Sequence, residues 1–152
     1  LNSDECIPVE GGFGMGYGCV DLHALIGILD YEDPKKARKV LKRLSKKKLN
    51  SKDFMGETLF FNVRDNKLCR YLLPKILDEN LSIQNEEGNT TLHDAVEEGN
   101  YEKCRLLIMR SHKLLFIKNN KGQDPLDIAI EGGQKDIEEL IRSKVMGTLF
   151  NA

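Results

Sequence analysis

No stretch of this 152-residue sequence approaches the ~18 consecutive apolar residues of a membrane helix, and the N-terminus has neither the basic nor the apolar zone of a signal peptide. The four cysteines, Cys6, Cys19, Cys69 and Cys104, are widely separated and form no CxxC pair, which speaks against a zinc site or thioredoxin-like redox chemistry. Reduced thiols in an intracellular protein, cytoplasmic or nuclear, are therefore expected. HExxH, GxSxG and GK[ST] are all missing. No enzyme is expected, and neither cofactor nor metal. The chain does not begin with Met, as a piece of something longer would not.

Lys and Arg are also absent from residues 1–32, which carry six acids. Residues 33–76 reverse this, with fourteen bases against four acids, and residues 77–152 have nine bases and fourteen acids. The overall charge of -1 thus hides an acidic, a basic and an acidic block. At 40% hydrophobic and 31% charged residues, the composition is that of a globular chain long enough for one core.

Two motifs invite a chemical reading and fail it. GGFGMGYG, residues 11–18, has glycine at alternate positions. A dinucleotide fingerprint needs G-x-G-x-x-G, and counting from Gly12 its last position is Tyr17, so a flexible lead-in loop is the simpler account. The pair His93-Asp94 in GNTTLHDAVEEGN, residues 88–100, has the look of a catalytic dyad. A dyad occurs once, whereas this stretch recurs. GQDPLDIAIEGGQ, residues 122–134, sets Gly122, Leu126, Ala129 and Gly133 on Gly88, Leu92, Ala95 and Gly99, 34 residues apart. GETLFFNV, residues 56–63, sets Gly56, Thr58 and Phe60 on Gly88, Thr90 and Leu92, 32 residues earlier. GCVDLHAL, residues 18–25, repeats the Leu-His pair as Leu22-His23, but 38 residues before its counterpart, which calls for an insertion.

The residues explain the period. Thr90 is placed to cap a helix, Asp124 stands at the equivalent point, and Pro125 follows where a missing N–H costs nothing. Gly99 and Gly133 end a short first helix. In the second helix, Cys104, Leu107 and Ile108, then Ile137, Leu140 and Ile141, recur at spacings of three and four. One such helix pair cannot bury its stripe alone, so stacked neighbours must.

A period near 33 with a T-P-L-H-x-A core resembles the ankyrin repeat. The resemblance covers residues 16–144 in about four units, 16–52, 53–84, 85–118 and 119–144, after a lead-in segment 1–15 and before an apolar tail 145–152. It is closest in the last two units. Unit two has Phe61 in place of His and Val63 in place of Ala, and is shorter by about three residues between its helices. The implied fold is all-α, a solenoid of helix-turn-helix units with hairpin-like loops. The implied role of His93 is to tie adjacent loops together, with Asp94 toward the open face. The implied function is a non-catalytic protein-binding module, a scaffold, regulator or signalling adaptor, using its concave face and loop tips.

Positions between the structural ones give the candidate contacts: Phe54, Met55, Glu57, Asp65 and Asn66 in unit two; Glu86, Glu87, Asn89, Asp94, Glu97 and Glu98 in unit three; Asn120, Lys121, Gln123 and Glu131 in unit four. Phe54 and Met55 are two large apolar groups at a loop tip, either a binding hot spot or a contact folded back on unit one. The carboxylates of unit three suit a basic partner segment. DPKKARKVLKRLSKKK, residues 33–48, reads as one helix with Asp33 as cap and an apolar stripe of Ala37, Val40, Leu41 and Leu44. Its bases, Lys35, Lys36, Lys39, Lys42, Arg43, Lys46 and Lys47 among them, form either a solvated outer face or a patch for acidic protein, nucleic acid, anionic lipid or nuclear import. No aromatics interleave with them, which disfavours nucleic acid. The tail residues Val145, Met146, Leu149 and Phe150 are expected to cap the last unit; a further repeat or a dimer contact are the alternatives.

Overall fold

The computed structural model describes residues 6–8, 19–53 and 55–150, with side chains for residues 22–53 and 55–148. A short antiparallel ribbon, β1 (Cys6–Pro8) and β2 (Cys19–Asp21), pairs Cys6 with Asp21 and Pro8 with Cys19. Everything after it is helical: α1 (Leu22–Glu32), α2 (Pro34–Arg43), α3 (Lys46–Leu49), a 3-10 segment Leu59–Asn62, α4 (Asn66–Leu72), α5 (Asp78–Leu81), α6 (Thr91–Glu97), α7 (Tyr101–Arg110), α8 (Pro125–Glu131) and α9 (Lys135–Phe150). The glycine run 11–18 lies outside the described residues.

Four helix pairs stack in two layers. The inner layer runs α1, Leu59–Asn62, α6, α8, and the outer layer α2, α4, α7, α9, each element touching the next. One continuous core lies between the layers. It includes Ile26, Leu41, Phe60, Leu72, Leu92, Leu107 and Ile141. The anticipated stripes of α7 and α9 are buried in it. Caps start the outer helices: Asp33, Asp65 and Asn100 accept from the amides of Lys36, Leu68 and Lys103. At Gly99 (φ 70) and Gly133 (φ 65) the first helix closes with bonds from Asn100 N to Ala95 O and from Gln134 N to Ala129 O.

One expectation needs correction. Residues 33–48 are not one helix: α2 ends at Arg43, Leu44 is extended, and α3 starts afresh. Ser45 causes the break, because its Oγ accepts from Lys48 N at 3.2 Å and so makes a better helix start than a helix interior. The tail continues the last helix. α9 passes through residue 145 without interruption, Val145 packs on the core, Met146 is exposed, and Thr148 Oγ1 lies 3.2 Å from His112 Nδ1. The side chains of Leu149 and Phe150 are outside the described residues.

Three hairpin loops share one construction. In each, an Asx side chain accepts from the amides two and four residues on: Asp53 from Met55 and Glu57, Asn85 from Glu87 and Asn89, Asn119 from Lys121 and Gln123. Gly56, Gly88 and Gly122 follow with φ between 76 and 79. Gly88 carries a further constraint, since a Cβ there would lie 2.6 Å from Asn120 N of the next loop, whereas Gly122 has nothing within 4 Å. Gly122→Ala should therefore cost about 1 kcal/mol, the usual charge for a left-handed Ala. Gly88→Ala should cost about 3 kcal/mol, because the loop contact must open as well. Urea denaturation of the two variants checks this; equal losses would mean that loop-to-loop contact does not distinguish them.

Candidate functional site

Hydrogen bonds lock the loop tips into a row. Asn120 donates from N to Glu87 O (3.0 Å) and from Nδ2 to Glu86 O (2.8 Å), Asn119 Nδ2 donates to Asn89 Oδ1 (3.0 Å), and Asn85 Nδ2 to Glu57 Oε1 (2.9 Å). Behind them sits His93. Thr90 N can only donate, so His93 Nδ1 is the acceptor (3.0 Å) and its Nε2–H donates to Gln123 O in the next loop (3.1 Å). Burial also pushes its pKa down, in keeping with a neutral ring. His23 repeats the bond, its Nε2 3.1 Å from Ser51 O, which fixes the register of the first unit. These histidines are fasteners. His112 is exposed and Cys104 buried, and burial raises the Cys104 thiol to about 12 and the Cys69 thiol to about 11.

Two adjoining grooves open beside this row. The larger, about 620 Å³, is walled by Glu86, Glu87, Glu97, Lys121, Glu131 and Gln134, among others. The smaller, about 380 Å³, is walled by Met55, Glu57, Asn85, Glu86, Glu87, Asp94, Glu97 and Glu98. Lys121 is the single base among the residues lining either. Burial comes first, then Glu57 and Glu98, in raising the Asp94 carboxyl to about 7. Most of the anticipated contacts thus converge. Asn89 lines the larger groove, though it is buried and its Oδ1 accepts from Asn119. Two others do not converge. Asp65 caps α4, and with Asn66 it stands at the opposite end of the inner layer from the loop tips. Phe54 lies outside the described residues, so only Met55, 39% exposed, speaks for that tip.

Lys103 went unrecognised in the sequence. It follows a helix cap and precedes a core cysteine, yet it is fully buried. Its Nζ donates to Phe60 O and Val63 O, both at 2.7 Å, and lies 4.8 Å from the centre of the Phe60 ring. The 3-10 segment of unit two has only four residues, and within the unit its last carbonyls are held by long bonds alone: Phe60 O accepts from Val63 N at 3.4 Å, and Val63 O from Cys69 Sγ at 3.5 Å. The Lys103 amine of unit three gives each a shorter one. From the other side Asp30 of α1, also buried, accepts from Arg64 N (2.8 Å) and Asp65 N (3.0 Å). Burial depresses the Lys103 pKa, while Cys69, Glu98, Asp94 and Asp30 act to hold its charge. The signal available in the sequence is the short unit two, which implies a first helix with a poorly held end without saying what would meet it.

The bases of α2 and α3 are exposed on the outer layer. Among the described residues no group of His, Cys, Asp and Glu is arranged to hold a metal ion, and no helix is long and apolar enough to cross a membrane. A family model described as ankyrin repeats (3 copies) matches residues 33–115 and 59–148, well over half of the chain.

Lys103→Met should lower stability by about 3 kcal/mol, since two buried carbonyls lose their short bonds and keep only long ones. Hydrogen exchange should quicken most at the amides of residues 58–65. An even quickening over the whole chain would deny Lys103 its local role. For Asp94, a raised pKa means that the folded state holds the proton more tightly than the unfolded state, so stability falls as pH rises from about 4 to about 7. Asp94→Asn should flatten that slope and gain about 1 kcal/mol at pH 8, less than the whole shift would give because the group keeps some solvent. Thermal melts across pH measure both.

Proposed function

Because this chain belongs to the ankyrin-repeat family, whose members are generally protein-protein interaction modules and typically non-catalytic, we propose that it binds a basic, extended segment of another protein along its loop tips and inner face. The observation that carries this reading is the charge of the two grooves: six carboxylates, from Glu57, Glu86, Glu87, Asp94, Glu97 and Glu98, line the smaller one with no base in its wall, and among the described residues only Glu98 has an ion pair, with Arg64 at 2.9 Å. Like charges held this close repel one another, and a cationic ligand relieves that repulsion. The Asp94 carboxyl, raised to about 7 first by burial and then by Glu57 and Glu98, carries part of that repulsion.

The larger groove adds an acceptor. Gln134 Oε1 is buried in its wall with no donor among the described residues, which suits an incoming N–H or ammonium. Met55 gives the smaller groove an apolar contact for the stem of a Lys or Arg. A scaffold or signalling adaptor in the cytoplasm or nucleus would use such a face, with no catalytic step.

The test is a fluorescence titration with a lysine- and arginine-rich peptide, together with capture of partners from cell extract. Glu86→Lys/Glu97→Lys should weaken the peptide by about 100-fold, as two reversed charges at a partly desolvated surface would, and should release the same partners from extract. Wild-type affinity should fall with salt, and fall again below pH 7 as Asp94 gains its proton. Unchanged affinity in the double variant would move the binding surface elsewhere.

A further inference from the structure

The outer layer of the first two units has the opposite charge, and its geometry calls for a ligand of its own. Between residues 35 and 48 the exposed bases face solvent, and among the described residues only Lys36 has an ion pair there, 4.0 Å from Asp33. The strip does not end at the repeat boundary. Arg38 of α2 and Lys75 beyond α4 converge on one ring, Tyr71, at 5.2 and 4.2 Å from its centre. Neither cation has a carboxylate within ion-pair distance among the described residues, so the ring face offsets only part of their mutual repulsion.

The backbone beneath these charges is held in place. Asn50, just after α3, donates from Nδ2 to Lys46 O (2.9 Å) and Lys75 O (3.2 Å), and its Oδ1 accepts from Leu77 N and Asn80 Nδ2 (both 2.9 Å). One side chain thereby fastens the lysine-rich turn of α3 to the segment that carries Lys75. The cationic surface is a fixed array across two units.

We propose that this outer face docks on an anionic phospholipid surface. Neither of the two grooves is lined by a residue of α2 or α3. Lysines dominate it, and their point charges suit an extended field of negative headgroups better than the forked, atom-by-atom contacts of arginine with a single phosphate. No ring interleaves with the bases of α2 and α3 to stack on nucleotides. The acidic grooves belong to the inner layer and the loop tips, so the face turned to lipid leaves them clear. This inference does not depend on the partner proposed for those grooves.

Vesicle co-sedimentation tests it, using the whole chain with phosphatidylcholine vesicles that contain or lack phosphatidylserine. Partition should be about tenfold or more higher on the phosphatidylserine vesicles and should collapse on raising salt. Lys42→Gln/Arg43→Gln/Lys46→Gln/Lys47→Gln should abolish the difference while circular dichroism and the melting curve stay as in the wild type. Arg38→Gln/Lys75→Gln should weaken it several-fold. Glu86→Lys/Glu97→Lys should leave binding intact, so the failure of one surface is distinguishable from that of the other. Equal partition on both vesicles, or binding retained by the fourfold variant, overturns the proposal. So does tight binding to duplex DNA without vesicle binding, which assigns the face to nucleic acid. Salt-sensitive self-association in sedimentation velocity, lost in both the groove and the fourfold variants and without vesicle binding, assigns it instead to a second copy.

Discussion

The buried ammonium of Lys103 is the constraint around which the middle of this solenoid is arranged. A charge taken out of water is expensive unless its surroundings replace the lost hydration. Here two carbonyls and a ring face do so at close range, and the carboxylates of Asp30, Asp94 and Glu98 add a longer-range field. The exchange works because unit two is too short to complete its first helix. Its loose acceptors meet Lys103 from unit three, and its loose donors, Arg64 N and Asp65 N, meet Asp30 from unit one. What reads as a degenerate repeat is a repeat whose termini its neighbours satisfy.

That arrangement also shapes the acidic grooves. Asp94 belongs both to the inner wall and to the field around Lys103, and it sits half-buried among Glu57, Glu97 and Glu98. The groove charge and the core charge are thus linked through one carboxyl. On the outer layer of the first two units the charge is reversed, and among the described residues few of its bases are paired, Lys36 with Asp33 and Arg70 with Glu102. The basic and the second acidic block of the sequence become, in the fold, a positive back on the first two units and a negative inner side with its loop tips.

Much of this was legible beforehand, for physical reasons. The period of glycines marks left-handed turns, and the spaced Leu and Ile residues mark helices that need neighbours, so the family and the helical architecture followed from Gly88, Gly122, Leu92, Leu126 and the α7 and α9 stripes. The loop-tip carboxylates could be placed near one another by the same register. Other features were not legible, because they depend on contacts between units. Lys103 looks like any surface lysine after a cap until the short segment Leu59–Asn62 is laid against it. Asn89 looks exposed until Asn119 of the next loop reaches it. Ser45 reads as a helix interior because the apolar stripe of residues 37–44 runs up to it. The ring of Tyr71 gave no sign of gathering two cations from two units.

Repeat chains of this kind grow by copying a unit and inserting the copy next to its parent. Units joined only by apolar stacking tolerate such copying, since each copy meets a surface like the one it left. Unit two here does not have that freedom. Its helix is completed by a base on one neighbour and an acid on the other, so a copy placed elsewhere would bring unanswered donors and acceptors with it. The first three units are therefore tied to one another as a block, and a unit inserted between them would break those ties.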